Sequence, residues 1–196
     1  MWKVIGIPLL IYLAYIICLY QPPNEKERPI AQLMQEMPVS AVNLYINSHS
    51  KFATHEMHRS KIPASITLAQ AILESQYGSS ELAIYANNHF GIKASSSIGN
   101  NNQYCLHSNE WDTESGKMEI MLSCFMKYKN VATCYASHSD FLTSRTIYSE
   151  LFKFLPNDFK KWAKGLQKAG YATDPGYAEK LISLIEQYHL YRFDQF

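Results

Sequence analysis

The sequence predicts a mainly α-helical domain with one small β segment. Three observations support this fold class: an almost wholly apolar helical segment at 63–77, a stretch of strand character at 117–128, and helical patterns between 136 and 190. Helices that flank a short β segment are typical of a helical core with a small sheet beside it. With 196 residues and 47% hydrophobic content, the chain is long enough to bury one such core.

The first half of the domain is predicted to contain two or three helices. Residues 40–60 have the pattern of one or two helices. The segment 63–77 has Pro63 in its first turn and Gly78 just after its end, which are the usual positions of these residues at helix termini. A stretch from 95 to 115 is rich in Ser, Asn and Gly and is therefore predicted to be a loop.

The second half begins with "KMEIMLSCFMKY" at 117–128, which has strand character without clean alternation. Helical patterns follow at 136–153, 157–169 and 175–190. Asp174 and Pro175 suit the start of the last helix as cap and first-turn residue. Its core-facing stripe consists of Tyr177, Leu181, Leu184, Ile185 and Tyr188.

The N-terminal residues 1–21 are predicted to be a membrane anchor or a signal segment. Residues 4–20 carry no charge, follow Lys3, and as a helix would span roughly 26 Å. No small-residue cleavage site follows, which favours an uncleaved anchor over a removed signal peptide. Residues 22–37, with Pro22-Pro23 and a charged run, are predicted to be a linker, and 38–196 the exported domain. Either interpretation places this domain on the periplasmic or cell-wall side of the inner membrane, or outside the cell.

The composition excludes some classes of function. A net charge of +1 with scattered basic residues gives no basic stripe for nucleic acid. The seven histidines show no pairing with cysteine or acidic residues at metal-ligand spacing, so no metal or cofactor is expected, and we expect a monomer. Cys105 and Cys124 would face each other if 104–107 and 118–126 are paired strands; otherwise the cysteines are free and buried.

Glu74 is the main candidate for chemistry. In the apolar segment 63–77 the polar residues Thr67, Gln70 and Glu74 fall on one helix face, which predicts that this face lines a polar cleft. Desolvation there would raise the pKa of the Glu74 carboxyl, as a general acid near neutral pH requires. The alternative is a capping or salt-bridged glutamate, but an anion near a helix C-terminus is disfavoured by the macrodipole.

Several motifs resemble the exported bacterial glucosaminidases of glycoside hydrolase family 73, which are related to the flagellar muramidase domain. They are "IPASITLAQAILESQYGSSELAIYANNHFGIKA", "FMKY", "HSDFL" and "WAKGLQKAGYATDPGYAEKLISLIEQYHL", in the family's order and spacing. The resemblance covers roughly residues 55–194. It implies a lysozyme-like helical domain with a small β-lobe beside the active-site cleft.

The resemblance also implies roles for individual residues. Glu74, in the "LES" segment, matches the family's catalytic acid, and Tyr171 of "GYATDP" resembles its active-site tyrosine, although Tyr171 could instead only seat the last helix. The residues predicted to line or shape the substrate site are Gln70, Asn88, Phe90, Gly91, Tyr128 and His138.

A second carboxylate is expected in the β-lobe, because glycosidases commonly use two. Many family members have it in a segment like "T-x-E-W", and "SNEWDTESGKM" offers Glu110 there, with Asp112 and Glu114 as neighbours. The three could also form only a solvated acidic turn. The substrate's own N-acetyl group could replace a second carboxylate altogether.

Three positions depart from the family pattern: Gln76 stands where glycine is usual, Met126 where arginine is common, and Ser137 where aspartate precedes "HSDFL". None of these departures affects Glu74.

The sequence therefore predicts an endo-β-N-acetylglucosaminidase that acts on peptidoglycan glycan strands. The alternatives are a muramidase or lytic transglycosylase on the same substrate, or a non-catalytic glycan-binding module, which would have no need of a desolvated carboxylate.

Overall fold

The computed structural model describes residues 39–94, 100–112 and 117–195. The predicted anchor at 4–20 and the linker at 22–37 lie outside these ranges. Within them, no helix has the length and apolar character needed to cross a membrane.

The described ranges fold into helices with one two-stranded sheet, which confirms the predicted fold class. Helices α1, Val39–Ser60, α2, Ala64–Glu74, and α3, Glu81–Ala86, precede the sheet. Its strands are β1, Gln103–Asp112, and β2, Lys117–Met126. Helices α4, Val131–Thr143, α5, Phe159–Lys168, and α6, Tyr177–Gln187, follow it. Short 3-10 helices occupy Asn100–Asn102, Thr146–Lys153 and Leu190–Phe193.

Helix α2 lies at the centre of the helical core. Nearly all of its side chains are buried, from Ala64 to Ile72. Helix α1, helices α5 and α6, and the 3-10 helix Leu190–Phe193 pack around it. A helix whose side chains are mostly apolar or small is stable in water only when neighbouring elements cover it, so the composition of α2 favours this arrangement.

Strands β1 and β2 form an antiparallel hairpin that projects from the helical core. The register pairs Gln103 with Met126 at its base and Asp112 with Lys117 at its far end. Cys105 and Cys124 are direct partners in this register and form a disulfide. An isolated two-stranded hairpin is only marginally stable in water, so this crosslink near the base stabilises the lobe.

The structure corrects several sequence-based expectations. The stretch predicted as loop contains most of β1, Gln103–Asp112, because its backbone pairs with β2 along the whole register although Asn has low strand propensity. The predicted helix 136–153 is two elements, α4 and the 3-10 helix Thr146–Lys153. Asp174 does not cap α6 directly: Gly176 holds the cap position, and Asp174 Oδ1 accepts a hydrogen bond from Gly176 N at 2.8 Å.

The N-terminus of α2 is capped from the far end of the chain. Pro63 at the cap position offers no side-chain acceptor. Asp194 supplies it instead, accepting hydrogen bonds from Ser65 N at 2.8 Å and Ser65 Oγ at 2.6 Å. A carboxylate that accepts from the first helical N–H groups satisfies donors that would otherwise be buried without a partner.

Replacing Asp194 by alanine is expected to lower the free energy of unfolding by about 1–2 kcal/mol, since it removes the acceptor for the first turn of α2. Asp194→Asn keeps an acceptor oxygen and should cost less. Urea unfolding followed by circular dichroism measures both. Equal stability of the alanine variant and the wild type would show that water replaces this cap.

Candidate active site

Glu74 is the last residue of α2, and the chain turns sharply immediately after it. Gln76, Tyr77 and Gly78 all have positive φ, at 49°, 48° and 84°. At Gly78 a Cβ atom would lie 3.0 Å from the ring of Tyr45, so the turn requires glycine there. The positive φ at Gln76 also gives a physical reason for the family's preference for glycine at this position.

The Glu74 carboxyl has a strongly perturbed environment. Its side chain reaches solvent, yet the protein atoms on its other side exclude enough water to raise its pKa from 4.5 to about 7. A hydrogen bond from Tyr177 and the positive charge of Lys180 act in the opposite direction. Desolvation dominates, so this carboxyl keeps its proton close to neutral pH.

Tyr177 and Lys180 are site residues that the sequence analysis did not assign. Tyr177 Oη donates to Glu74 Oε1 at 3.1 Å, and Lys180 Nζ is paired with Asp174 Oδ2 at 2.7 Å. Both belong to α6, where Tyr177 was predicted only as a core-facing residue. The signal that could have located them is the "DPGYAEK" start of α6, which places Tyr177 and Lys180 on one face at i and i+3.

The predicted polar stripe on α2 does not open into a cleft along its length. Thr67 and Gln70 are fully buried. Thr67 Oγ1 donates to Pro63 O at 3.3 Å, and Gln70 Nε2 donates to Tyr177 Oη at 3.0 Å. Gln70 is therefore bonded to Tyr177, and of the three residues of this stripe only Glu74 reaches solvent.

An aromatic column extends from Tyr177 to the loop after α3. Tyr171 stacks on Tyr177 with ring centroids 5.6 Å apart, and His138 meets Tyr171 edge to face at 6.2 Å. Phe90 stacks on His138 at 4.0 Å, and Tyr135 meets Phe90 edge to face at 5.0 Å. The column thus brings together Tyr171, His138 and Phe90, three of the predicted site residues.

The members of this column are uncharged. His138 is fully buried, and burial lowers its pKa to about 3. Neither of its ring nitrogens has a hydrogen-bond partner within the described ranges. The pKa of Tyr171 is raised well above its usual value, first by burial and then by the charge of Glu74. His138 therefore packs as a neutral ring and does not exchange protons near neutral pH.

Asn88 holds the loop between α3 and the hairpin. It is 1% exposed, and its Nδ2 donates to Ile92 O at 3.0 Å and to Met126 O at 2.9 Å. Its Oδ1 accepts from Ile92 N at 3.1 Å. All of its polar atoms are therefore occupied by backbone. Gly91, half-buried with φ of 62°, completes the turn, so Asn88 and Gly91 shape the loop that carries Phe90.

His89 attaches the same loop to α1 and α4. Its Nδ1 lies 2.8 Å from Tyr45 Oη, and its backbone N donates to Cys134 Sγ at 3.3 Å. Tyr45 Oη is also 3.2 Å from Tyr135 Oη. Burial lowers the pKa of His89 to about 4, so this network is neutral. The amide- and aromatic-rich loop is thereby fixed on both sides.

Tyr128, a predicted site residue, and Ser137, a departure from the family pattern, lie next to each other. Tyr128 is 5% exposed, and its Oη lies 2.9 Å from Ser137 Oγ. The backbone of Tyr128 also bonds Ala86 O at 2.8 Å and Asn87 Nδ2 at 3.0 Å. Tyr128 therefore anchors the end of α3, and the serine in place of the family's aspartate makes a neutral hydrogen bond there.

The hairpin carries the candidate second carboxylates. Glu110 and Asp112 lie in the outer half of β1, and Glu114 lies outside the described ranges. The register pairs Glu110 with Glu119 on β2, an exposed carboxylate that the sequence analysis did not consider. The register therefore adds Glu119 to the acidic residues of this lobe. In the parts of the chain that the structure describes, no group of three metal-ligating side chains could hold an ion.

Comparisons with known proteins agree with this architecture. The family description "Glucosaminidase: Mannosyl-glycoprotein endo-beta-N-acetylglucosaminidase" matches residues 50–190. The exo-glucosaminidase LytG of Bacillus subtilis is 33% identical over 172 residues, which cover 86% of this chain and 59% of LytG. The peptidoglycan hydrolase FlgJ of Escherichia coli K12 is 31% identical over 133 residues, covering 66% of this chain and 41% of FlgJ. The chain thus spans less than two thirds of these relatives.

Solved structures of similar proteins show the same fold. The glycoside hydrolase domain of Salmonella typhimurium FlgJ, truncated at its C-terminus, has a TM-score of 0.60 and 28% identity, covering 76% of this chain and 97% of that one. The catalytic domain of the Listeria monocytogenes autolysin Auto has a TM-score of 0.68 at 24% identity, covering 97% of this chain and 99% of that one. These likenesses confirm the predicted lysozyme-like fold.

Replacing Glu74 by glutamine is expected to stabilise the protein increasingly as the pH rises. Because the pKa of the folded carboxyl is raised to about 7, the folded state binds this proton more tightly than the unfolded state does. The stability it contributes is present below its usual pKa of 4.5 and is lost as the pH rises through about 7, whereas glutamine does not titrate.

Urea unfolding at several pH values between about 4 and 8 measures this difference across the titration window. Glu150→Gln is the matched control, since Glu150 is a surface residue that forms an ion pair with Lys153. A wild-type-minus-variant difference that is the same at all pH values would contradict the raised pKa.

Proposed function

The chain belongs to the glucosaminidase family, and from this premise we propose that it is a peptidoglycan hydrolase that cleaves β-1,4 glycosidic bonds as a β-N-acetylglucosaminidase. Residues 38–196 are its catalytic domain. The single observation that carries the proposal is Glu74, a carboxyl at the end of a buried helix whose pKa is raised to about 7. The names of LytG and FlgJ support the choice of substrate.

In this proposal Glu74 acts as the general acid. A carboxyl that is protonated near neutral pH can donate its proton to the glycosidic oxygen as the bond to the sugar breaks. The transition state carries positive charge on the sugar ring. Tyr171, adjacent to Glu74 through Tyr177, borders the position of the reacting sugar, and Phe90 and Gly91 belong to the floor on which it rests.

The second catalytic group, which acts together with Glu74, comes from the hairpin lobe or from the substrate. Glu110 is the first choice for activating water or stabilising the transition state, with Asp112 and Glu114 as the neighbouring alternatives. Glu119, which is paired with Glu110 in the strand register, is a further alternative. Because exceptions to the two-carboxylate mechanism exist, the acetamido group of the substrate is the alternative nucleophile.

The mode of cleavage has two candidates. The family description names an endo-acting enzyme, and this is the mode that we propose. The similarity to LytG, named an exo-glucosaminidase, favours an exo mode as the second candidate. Endo cleavage releases oligosaccharides with reducing N-acetylglucosamine ends early in digestion, whereas exo cleavage releases small products from chain ends.

Loss of the proton donor is the central test. Glu74→Gln is expected to reduce hydrolysis of purified peptidoglycan by about 10² or more, because glutamine keeps the size but cannot donate the proton. Turbidity clearing gives the rate, and mass spectrometry of the products gives the linkage and the mode. Reducing N-acetylmuramic acid or anhydro ends would support the muramidase or lytic transglycosylase alternative.

Glu150→Gln, with the same chemical change at a surface site, serves as the control and should keep wild-type activity. A Glu74→Gln protein that melts normally and still clears peptidoglycan at more than about a tenth of the wild-type rate would exclude Glu74 as the acid. A wild-type protein that binds glycan without cleaving it would indicate a binding module.

The second carboxylate is tested by Glu110→Gln. If Glu110 is a general base, the rate should fall by about 10²–10⁴. A normal rate in this variant, with a loss in Asp112→Asn, Glu114→Gln or Glu119→Gln, would move the assignment to that residue. Normal rates in all four would favour participation by the acetamido group.

We also propose that the catalytic domain is exported and remains anchored to the inner membrane through residues 4–20. The uncharged, apolar sequence of these residues and the Lys3 before them support this location. The domain should then be digested by a protease added to intact spheroplasts. Protection of the domain until the cells are lysed would rule out this location.

A further inference from the structure

A chain of two hydrogen bonds joins Gln70, Tyr177 and Glu74. Gln70 Nε2 donates to Tyr177 Oη at 3.0 Å, and Tyr177 Oη donates to Glu74 Oε1 at 3.1 Å. Gln70 and Glu74 lie one turn apart on α2, and Tyr177 is the first residue of α6. The tyrosine therefore bridges two residues of the helix that carries the proposed acid.

The direction of these bonds follows from the orientation of the Gln70 amide, whose Nε2 faces Tyr177 and whose Oε1 has no hydrogen-bond partner among the described residues. An amide nitrogen only donates, so the Tyr177 oxygen acts as acceptor toward Gln70. The single phenolic proton is then left for Glu74 Oε1. When Glu74 is protonated, the oxygen that accepts this hydrogen bond is the carbonyl oxygen, so the acid proton resides on Oε2.

We propose that Tyr177 is a positioning residue that assigns the transferable proton to Oε2 of Glu74, with Gln70 setting the direction of the bond. This inference rests on the proposed function of Glu74 as general acid. A proton on the wrong oxygen would face Tyr177 instead of the glycosidic bond, so the assignment determines whether the acid is ready to react.

The surroundings keep this arrangement rigid. Gln70 is fully buried and Tyr177 is 2% exposed. The Tyr177 ring stacks on Tyr171 with an interplanar angle of 24°. Its pKa is raised well above the usual value, first by burial and then by the charge of Glu74, so the phenol keeps its proton whether Glu74 is ionised or neutral.

Among the described residues, the titratable and charged groups that act on Glu74 come from α6 and the segment before it. They are Tyr177, Lys180, which pairs with Asp174, and Tyr171. Of these, Tyr177 donates a hydrogen bond to the carboxyl and Lys180 acts on it through its charge. Removing the Tyr177 hydroxyl therefore removes a hydrogen bond that favours the ionised form, without altering the charge of the site.

Tyr177→Phe should produce two changes together. The pKa of Glu74 should rise by about one unit, which moves the alkaline limb of the pH–rate profile upward by the same amount. On the acidic plateau kcat should fall by about two- to tenfold, because the proton is no longer confined to one oxygen and the carboxyl loses a bond that holds its orientation. KM should stay unchanged, since Tyr177 is buried beneath the site.

Tyr188→Phe is the matched control. Tyr188 follows the last turn of the same helix and is 6% exposed, and its hydroxyl has no hydrogen-bond partner among the described residues. The Tyr188→Phe substitution also removes one tyrosine hydroxyl but leaves the hydrogen bond to Glu74 intact. It should therefore leave the pH–rate profile and the pKa of Glu74 as in the wild type.

A carbon-detected NMR titration of the Glu74 carboxyl in the full chain gives a readout that does not depend on activity. A raised pKa of Glu74 in Tyr177→Phe supports the inference even if the wild type proves inactive, in which case the proposed function fails separately.

Gln70→Met, which removes the donor to Tyr177, should lower kcat and provides a second test if Tyr177→Phe does not fold. An unchanged Glu74 pKa and pH profile in Tyr177→Phe, or a Gln70→Met enzyme with wild-type kcat, would overturn the proposal.

Discussion

The burial of α2 is the constraint on which the rest of the structure depends. A helix whose side chains are mostly apolar or small must be covered by its neighbours, and α1, α5, α6 and the last 3-10 helix pack against α2. The covering elements in turn determine what stands at its two ends. Asp194 lies at the N-terminal end and Tyr177 at the C-terminal end, so the same packing that buries the helix also caps it and orients Glu74.

Much of the fold follows from local patterns in the sequence. The apolar run of α2 and the stripe on α6 are visible as periodicity and punctuation, and residues 117–128 have the strand character of a small sheet. These patterns were sufficient to predict the helical domain with its small sheet. Most of β1 was predicted as loop, and only 104–107 was considered as a strand paired with 118–126, because the conformation of β1 depends on pairing with β2. Local propensity does not contain that long-range information.

The candidate site was predictable only in part. Glu74 stands out because a carboxylate on an apolar helix near its C-terminus is physically unfavourable and needs a reason. Gln70, His138 and Asn88 were predicted near the substrate, yet each is buried and packs or bonds with the protein itself. A sequence shows which polar residues are unusual, but whether such a residue faces solvent or another side chain depends on contacts between distant segments. Tyr177 illustrates this, because its periodicity indicated only a core position.

The cap on α2 has a consequence for the way the domain is made. Ser65 and its partner Asp194 are 129 residues apart, and Glu74 and Tyr177 are 103 residues apart. A chain that emerges from the ribosome or from an export channel presents α2 long before either partner. Helix α2 therefore gains the bond at its C-terminal end only when Tyr177 has been made, and the cap at its N-terminal end only when Asp194 has been made. A chain that stops before Tyr177 lacks both bonds, whereas one that stops between Tyr177 and Asp194 lacks only the cap.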